Sequence, residues 1–130
     1  MNYHLSYDDV NHYFTITLSG IPDLSVYDQS IIELMNRAKN DDEINIIWDL
    51  TELDFENVSM AFMRKINEHR SKFHGQRGKD ARMAIVVSDQ FAFALSRQYK
   101  AISSIQFEQN LKICTTFDDA VSYMREKVTV

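Results

Sequence analysis

Two aspartates stand where apolar runs end, and they are the first residues in this sequence whose type could do chemistry. Asp49 closes the run INIIW and Asp89 follows MAIVVS. On neighbouring strands, two such carboxylates could share a cleft for acid–base work or hold a cation. Nothing in the sequence fixes their separation, and each is equally a turn or cap residue. His4, His12, His69 and His74 fall on two strands and around a helix end, with no pair at metal-binding spacing. Structural or surface roles suit them, and no metal is implied. The three glycines form no phosphate-cradling loop, and no G-x-S-x-G elbow occurs. No residue is assigned a catalytic role, no cofactor is implied, and the chain reads as non-enzymatic.

Both aspartates depend on the strands that carry them. Ile44, Ile46, Ile47, Trp48 and Leu50 have almost no polar relief, the pattern of a central strand covered on both faces. Ahead of it, Tyr3 to Ser6 and His12 to Ser19 read as a β-hairpin, with Phe14, Ile16 and Leu18 alternating against Thr15 and Thr17. Gly20, Pro22 and Asp23 break that pattern, and Ser25 with Asp28 resembles a capping box opening a helix to Lys39, its inward stripe Tyr27, Ile31, Leu34, Met35 and Ala38. A second helix is expected from Asn57 to Phe73, with Val58, Ala61, Phe62, Ile66 and Phe73 on one side and Gly75 ending it. The polar loop HGQRGKD is the expected mobile segment. Met83 to Val87 is a further strand, and Ser88 or Asp89 caps a third helix bearing Phe91, Leu95, Tyr99 and Ile102. A last strand, Leu111 to Thr115, precedes a fourth helix opened by Thr116 and Asp119 and carrying Phe117, Ala120, Val121, Met124 and Val128. The order ββαβαβαβα over residues 1–130 predicts one α/β domain. Its sheet should be mixed and mostly parallel, of about five strands, with four helices on both faces and the first strand at an antiparallel edge. Strand order is left open.

Composition bounds the function classes. The single cysteine, Cys114, excludes an intramolecular disulfide, and LKICTT suggests a small buried hydrophobe on a strand in a reducing compartment. No leader peptide is read at the amino terminus, and no apolar run approaches the roughly 20 residues of a membrane span. A soluble, cytoplasmic protein is expected. The net charge of -5 argues against nucleic-acid binding. Arg64, Lys65, Arg70, Lys72, Arg77, Lys79 and Arg82 crowd one stretch, read as a solvated helix face and loop, with docking to an acidic partner as the alternative.

In open α/β sheets ligands gather outside the carboxyl ends of the strands, which marks Gly20 to Asp23, Asp49 to Glu52 with Thr51 among them, Ser88 to Gln90, and Thr115 to Phe117. Apolar residues are in excess: Met60, Phe62, Met63, Phe91, Phe93, Tyr99, Phe107 and Phe117 exceed one inward stripe per helix. Phe91 and Phe93, two apart, cannot both face one core, so one of them faces a partner, a pocket or a second copy, or is one of the ordinary exposed aromatics that every surface carries.

The strand ending IIWDLTELDF, the block MAIVVSDQFAFALSRQYKAIS with Arg97 and Tyr99, and the closing TFDDAVSYM with Asp119 and Ala120 together resemble the SpoIIAA-like branch of the STAS superfamily. The resemblance implies a small α/β regulatory or protein-interaction module. In its anti-sigma-factor antagonists, a turn of Asp-Ser-Ser-Gly after the Asp-Leu-Ser strand ending carries a phosphorylated serine. Here Asp49-Leu50-Thr51 and Phe55 hold their places, but Asn57, Val58, Ser59 and Met60 occupy the turn. The serine position falls on Val58. Ser59 lies one residue along without the glycine, and its plainer role is a first-turn helix hydroxyl. The branch also resembles CRAL-TRIO lipid-transfer domains, which implies a small apolar or amphiphilic ligand as the alternative.

Two functional expectations result. One is an interaction module, a homodimer with an unidentified protein partner, using Phe62, Phe91, Phe93 and Arg97 as surface. The other is a carrier or sensor of a small amphiphile held between the second and third helices, with Trp48, Asp49, Thr51, Ser88, Asp89 and Tyr99 as its candidate contacts.

Overall fold

The computed structural model describes residues 1–71, 77–78, 80–106 and 110–126. Five strands, β1 (Asn2–Asp8), β2 (Tyr13–Gly20), β3 (Ile46–Leu53), β4 (Met83–Val86) and β5 (Leu111–Cys114), form one sheet in the order β1-β2-β3-β4-β5. The helices are α1 (Leu24–Arg37), α2 (Met60–Ser71), α3 (Gln90–Gln106) and α4 (Phe117–Glu126). β1 pairs antiparallel with β2, and every later pairing is parallel. The α/β class, the element order and the antiparallel edge strand are those the sequence predicts.

The strand order decides where the helices go. Each crossover from β2 onward advances one strand in the same direction, and crossovers of one hand then put their helices on one face. The larger core accordingly joins Phe14, Ile16, Leu18, Ile46, Trp48, Met83 and Ile85 to α1, to Ile66 of α2 and to Phe93 and Tyr99 of α3. The smaller core, on the opposite face, joins Tyr13, Ile47, Ala84, Val86 and Cys114 to Ala120 and Met124 of α4. Consecutive residues of β3 thus belong to different cores, as the alternation of a strand requires.

Several local expectations change. Asp23, not Ser25, caps α1: its Oδ1 accepts from the Ser25 backbone N at 2.9 Å and Oγ at 2.8 Å. Asp28 is freed from capping and contacts His69 Nδ1 at 2.7 Å, linking α1 to α2. The inward stripe of α1 is as read, with Tyr27, Ile31, Leu34 and Ala38 buried. Ahead of α2, a short 3-10 turn, Phe55–Asn57, is capped by Asp54. On α2, Ala61 is exposed and Met63 is buried, so its inward line is Met63, Ile66, Asn67 and Arg70. His12 sits in the hairpin turn with φ 57 rather than on a strand.

The basic stretch is a solvated face only in part. Arg64 and Lys65 are exposed, but Arg70 and Arg77 are buried. Arg77 donates to the Ile44 carbonyl at 3.3 Å and the Arg82 carbonyl at 3.0 Å, while Arg82 donates to the Tyr123 carbonyl at 2.8 Å. Carbonyls ahead of β3 and β4 and at the end of α4 take the charge of Arg77 and Arg82. Gly78 has φ +95, and a Cβ there would lie 2.5 Å from the Asp42 carbonyl oxygen, so only glycine fits. Lys72, His74, Gly75 and Lys79, most of the loop expected to be mobile, and Phe73, Phe107 and Val128 lie outside the described residues.

Candidate functional site

The larger core leaves a space unfilled. An apolar cavity of about 80 Å³ lies between the sheet and helices α2 and α3. Trp48, Met83 and Ile85 form its sheet side, Phe62, Met63 and Ile66 its α2 side, and Leu95, Ser96 and Tyr99 its α3 side. An engineered cavity of about 150 Å³ lined by aliphatic and aromatic side chains stays dry and takes up benzene. This one has roughly half that volume. Met1, Met63 and Met83 are among its lining, and unbranched thioether side chains re-pack readily around a guest.

Local chain geometry builds the site. Between the pairings Thr17↔Asp49 and Ser19↔Glu52, β3 carries one residue more than β2. That irregularity lets Leu50 and Leu53, three apart and destined for opposite faces by strict alternation, both join the larger core and line the cavity. β3 also runs on to Leu53, past Asp49, where the apolar run closes and a polar connection is expected. Ser59 caps α2, its Oγ accepting from Phe62 N at 3.0 Å, and so sets where Phe62 and Met63 enter the lining.

Polar groups gather at one end. Arg70, 3% exposed, donates to the Tyr99 hydroxyl at 2.7 Å, and its guanidinium carbon lies 5.8 Å from the Tyr99 ring centre. Tyr27, buried, stacks on Trp48 with ring centres 5.4 Å apart at 22°. Burial, with the Tyr99 hydroxyl next in importance, pushes the Tyr27 phenol well above its usual range, so it remains a neutral O–H at any physiological pH. The cavity thus has a long apolar wall and a hydroxyl- and guanidinium-bearing end.

The expected site residues separate into groups. Trp48, Tyr99 and Phe62 come together on the cavity. Asp49 alternates away from Trp48 toward the other face, where its Oδ1 accepts from Thr51 N at 3.1 Å and Oγ1 at 2.8 Å. Asp89 Oδ1 accepts from Ala92 N at 2.7 Å, which makes it the cap of α3, and Ser88 is exposed beside it. Each aspartate is used by its own turn. Phe93 packs against the larger core, whereas Phe91 is 56% exposed and stands outside the inward line of α3; Phe117 of α4 is exposed too. Arg97 is exposed. Among the described residues no three His, Cys, Asp or Glu side chains could hold a metal ion together, and no helix is long and apolar enough to cross a membrane.

Sequence reading missed Tyr27, Arg70, Ser96, Met83 and Ile85 as cavity residues. Arg70 had a legible signal. It continues the spacing of Met63 and Ile66 along the buried line of α2, an unusual place for a cation. Comparison with known proteins adds no relative: no family model matches the chain, and no curated protein matches it.

Proposed function

We propose that the chain is a non-enzymatic binding module whose ligand is a small apolar or amphiphilic molecule, held as cargo or signal between α2 and α3. The apolar cavity beside Trp48 carries this reading. Cores pack close to crystal density, and a void costs the dispersion contacts its lining would otherwise make. A guest restores those contacts. The Arg70–Tyr99 pair closes one end with a few polar groups, the combination with apolar walls that small-molecule sites show. The resemblance to the SpoIIAA-like branch supports a regulatory rather than catalytic role, and it supports one without that family's phosphoserine switch. Val58, at the switch position, lines the cavity, and the Ser59 hydroxyl is engaged as the cap of α2.

A native mass spectrum of the gently purified protein tests the reading. A retained organic mass, displaced by an added apolar fluorophore that quenches Trp48, is the expected result. A bare chain that takes up no apolar probe overturns it.

The exposed Phe91 favours a second reading, a protein-interaction module that assembles with a partner or with its own copy through the start of α3. Phe93, the other aromatic of the pair, packs inward and is the wrong residue to test. Replacement of Phe91 by glutamate should then shift the sedimentation profile of the wild-type assembly; an unchanged profile counts against it.

A further inference from the structure

Phe62 and Met1 line the cavity on one side and an open groove of about 520 Å³ on the other. The groove runs between the start of α1 and the outer side of α2, and Ile21, Leu24 and Lys65 complete most of it. Phe62 and Lys65, three apart, are neighbours on one side of α2. We infer that groove and cavity are two compartments of one site for a single-chain amphiphile with a carboxylate head: the tail passes Phe62 to lie beside Trp48, and the head stays in the groove against Lys65. The inference rests on the apolar-ligand reading and names its ligand class and orientation.

Three observations set that orientation. The cavity is lined almost wholly by carbon, and a carboxylate brought into it would lose its hydration with few partners in return. Its one cationic side chain, Arg70, sits at the far end, about two turns along α2 from Phe62, so a head bound there would be cut off from the groove and its water. With roughly half the volume of a cavity known to take up benzene, this one takes a short stretch of chain and leaves the rest outside. The groove offers that remainder an apolar path along Ile21, 63% exposed, and Leu24, with the exposed Lys65 ammonium beside it. Asp23 is also in the groove, but its carboxylate is held by the Ser25 hydroxyl and backbone N as the cap of α1. Asp23 opposes an anion but is countered by the Met1 ammonium close to it, so the charge of residue 65 sets the sign of the groove and with it the head preference.

Trp48, the only tryptophan, reports tail entry directly. The full chain is titrated with dodecanoate and with dodecanol, following Trp48 emission, and association rates are taken by stopped flow. Both probes should perturb Trp48, with dodecanoate binding about tenfold more tightly. Lys65→Glu should erase that preference while leaving dodecanol unchanged, and Phe62→Ala should speed association of both several-fold. Equal affinity of the two probes, or a Lys65→Glu effect common to both, overturns the head assignment. Association unaffected by Phe62→Ala overturns the path. Silence of Trp48 toward every chain instead removes the apolar-ligand reading beneath. Lys65 is exposed, so its variant keeps the test decisive even where Phe62→Ala fails to fold.

Discussion

On one side of β3, Trp48 looks into a space its helices leave unfilled; on the other, Ile47 is sealed beneath α4 with no exposure. The two faces receive different amounts of helix. Three crossover helices cover the first, and they meet the sheet through long, flexible or bulky side chains such as Met63, Met83 and Phe62 that bridge rather than fill the gap. The second is covered by α4 alone, over β4 and β5, through small residues, Ala84 and Ala120, that allow close approach. Over β1 and β2 the second face turns polar, with His4 and Ser6 exposed and Thr17 half-buried beside Asp49. A tight face fixes the fold, and the slack face is where a guest can be admitted at little cost to it.

Matched truncations should give the largest separation between the faces. Ile47→Ala removes atoms from a fully packed site and should cost about 3–5 kcal/mol by denaturant unfolding, whereas Ile85→Ala, which borders the cavity, should cost about 2–3 kcal/mol. Equal losses would break the distinction. Overpacking should separate them next. Ala120→Leu, at a site with no exposure, should destabilise by about 1–3 kcal/mol, while Val58→Leu, pointing into the cavity, should be neutral or stabilise by less than about 1 kcal/mol. A Val58→Leu penalty as large as that of Ala120→Leu would mean the cavity has no usable room.

The sheet was legible because its signal is periodic: Phe14, Ile16 and Leu18 against Thr15 and Thr17 declare which side is covered, and Ile44 to Leu50 declares a central strand. Trp48 and Tyr99 were paired as candidate contacts only through the family resemblance, and the structure places both on the cavity. The irregularity that brings Leu50 and Leu53 to one side depends on pairing with β2, a long-range property absent from local pattern. The two buried arginines were misread for a related reason. Lys and Arg look alike in a charge count, yet the planar guanidinium can satisfy several carbonyls at once, so Arg77 is interior where a lysine would be outside. Of Phe91 and Phe93, spacing said that they diverge but not which one turns out.

The smallest effect reads the same contrast through alkaline titration. Burial raises the Cys114 thiol on the α4 face and the Tyr27 phenol on the cavity face above their ordinary values of 9.0 and 10.0. In each case the folded state holds a proton that the unfolded chain gives up. The stabilising difference is therefore complete below the unfolded pKa and declines as pH rises past it, by at most about 1.4 kcal/mol per pH unit for each group. Stability should begin to fall near pH 9 through Cys114 and fall more steeply beyond pH 10, where Tyr27 joins together with Tyr3, Tyr7 and Tyr13, whose phenols are raised as well. Cys114→Ala should flatten the first part of the curve and Tyr27→Phe the second. Dodecanoate bound beside Trp48 stabilises the folded state alone, so it should lift the whole curve by a constant amount and leave both declines, which arise from ionisation of the unfolded chain, with their slopes unchanged. A slope that changed with added dodecanoate would mean that the ligand also binds the unfolded chain, and a curve that did not rise at all would mean that the cavity face admits no guest.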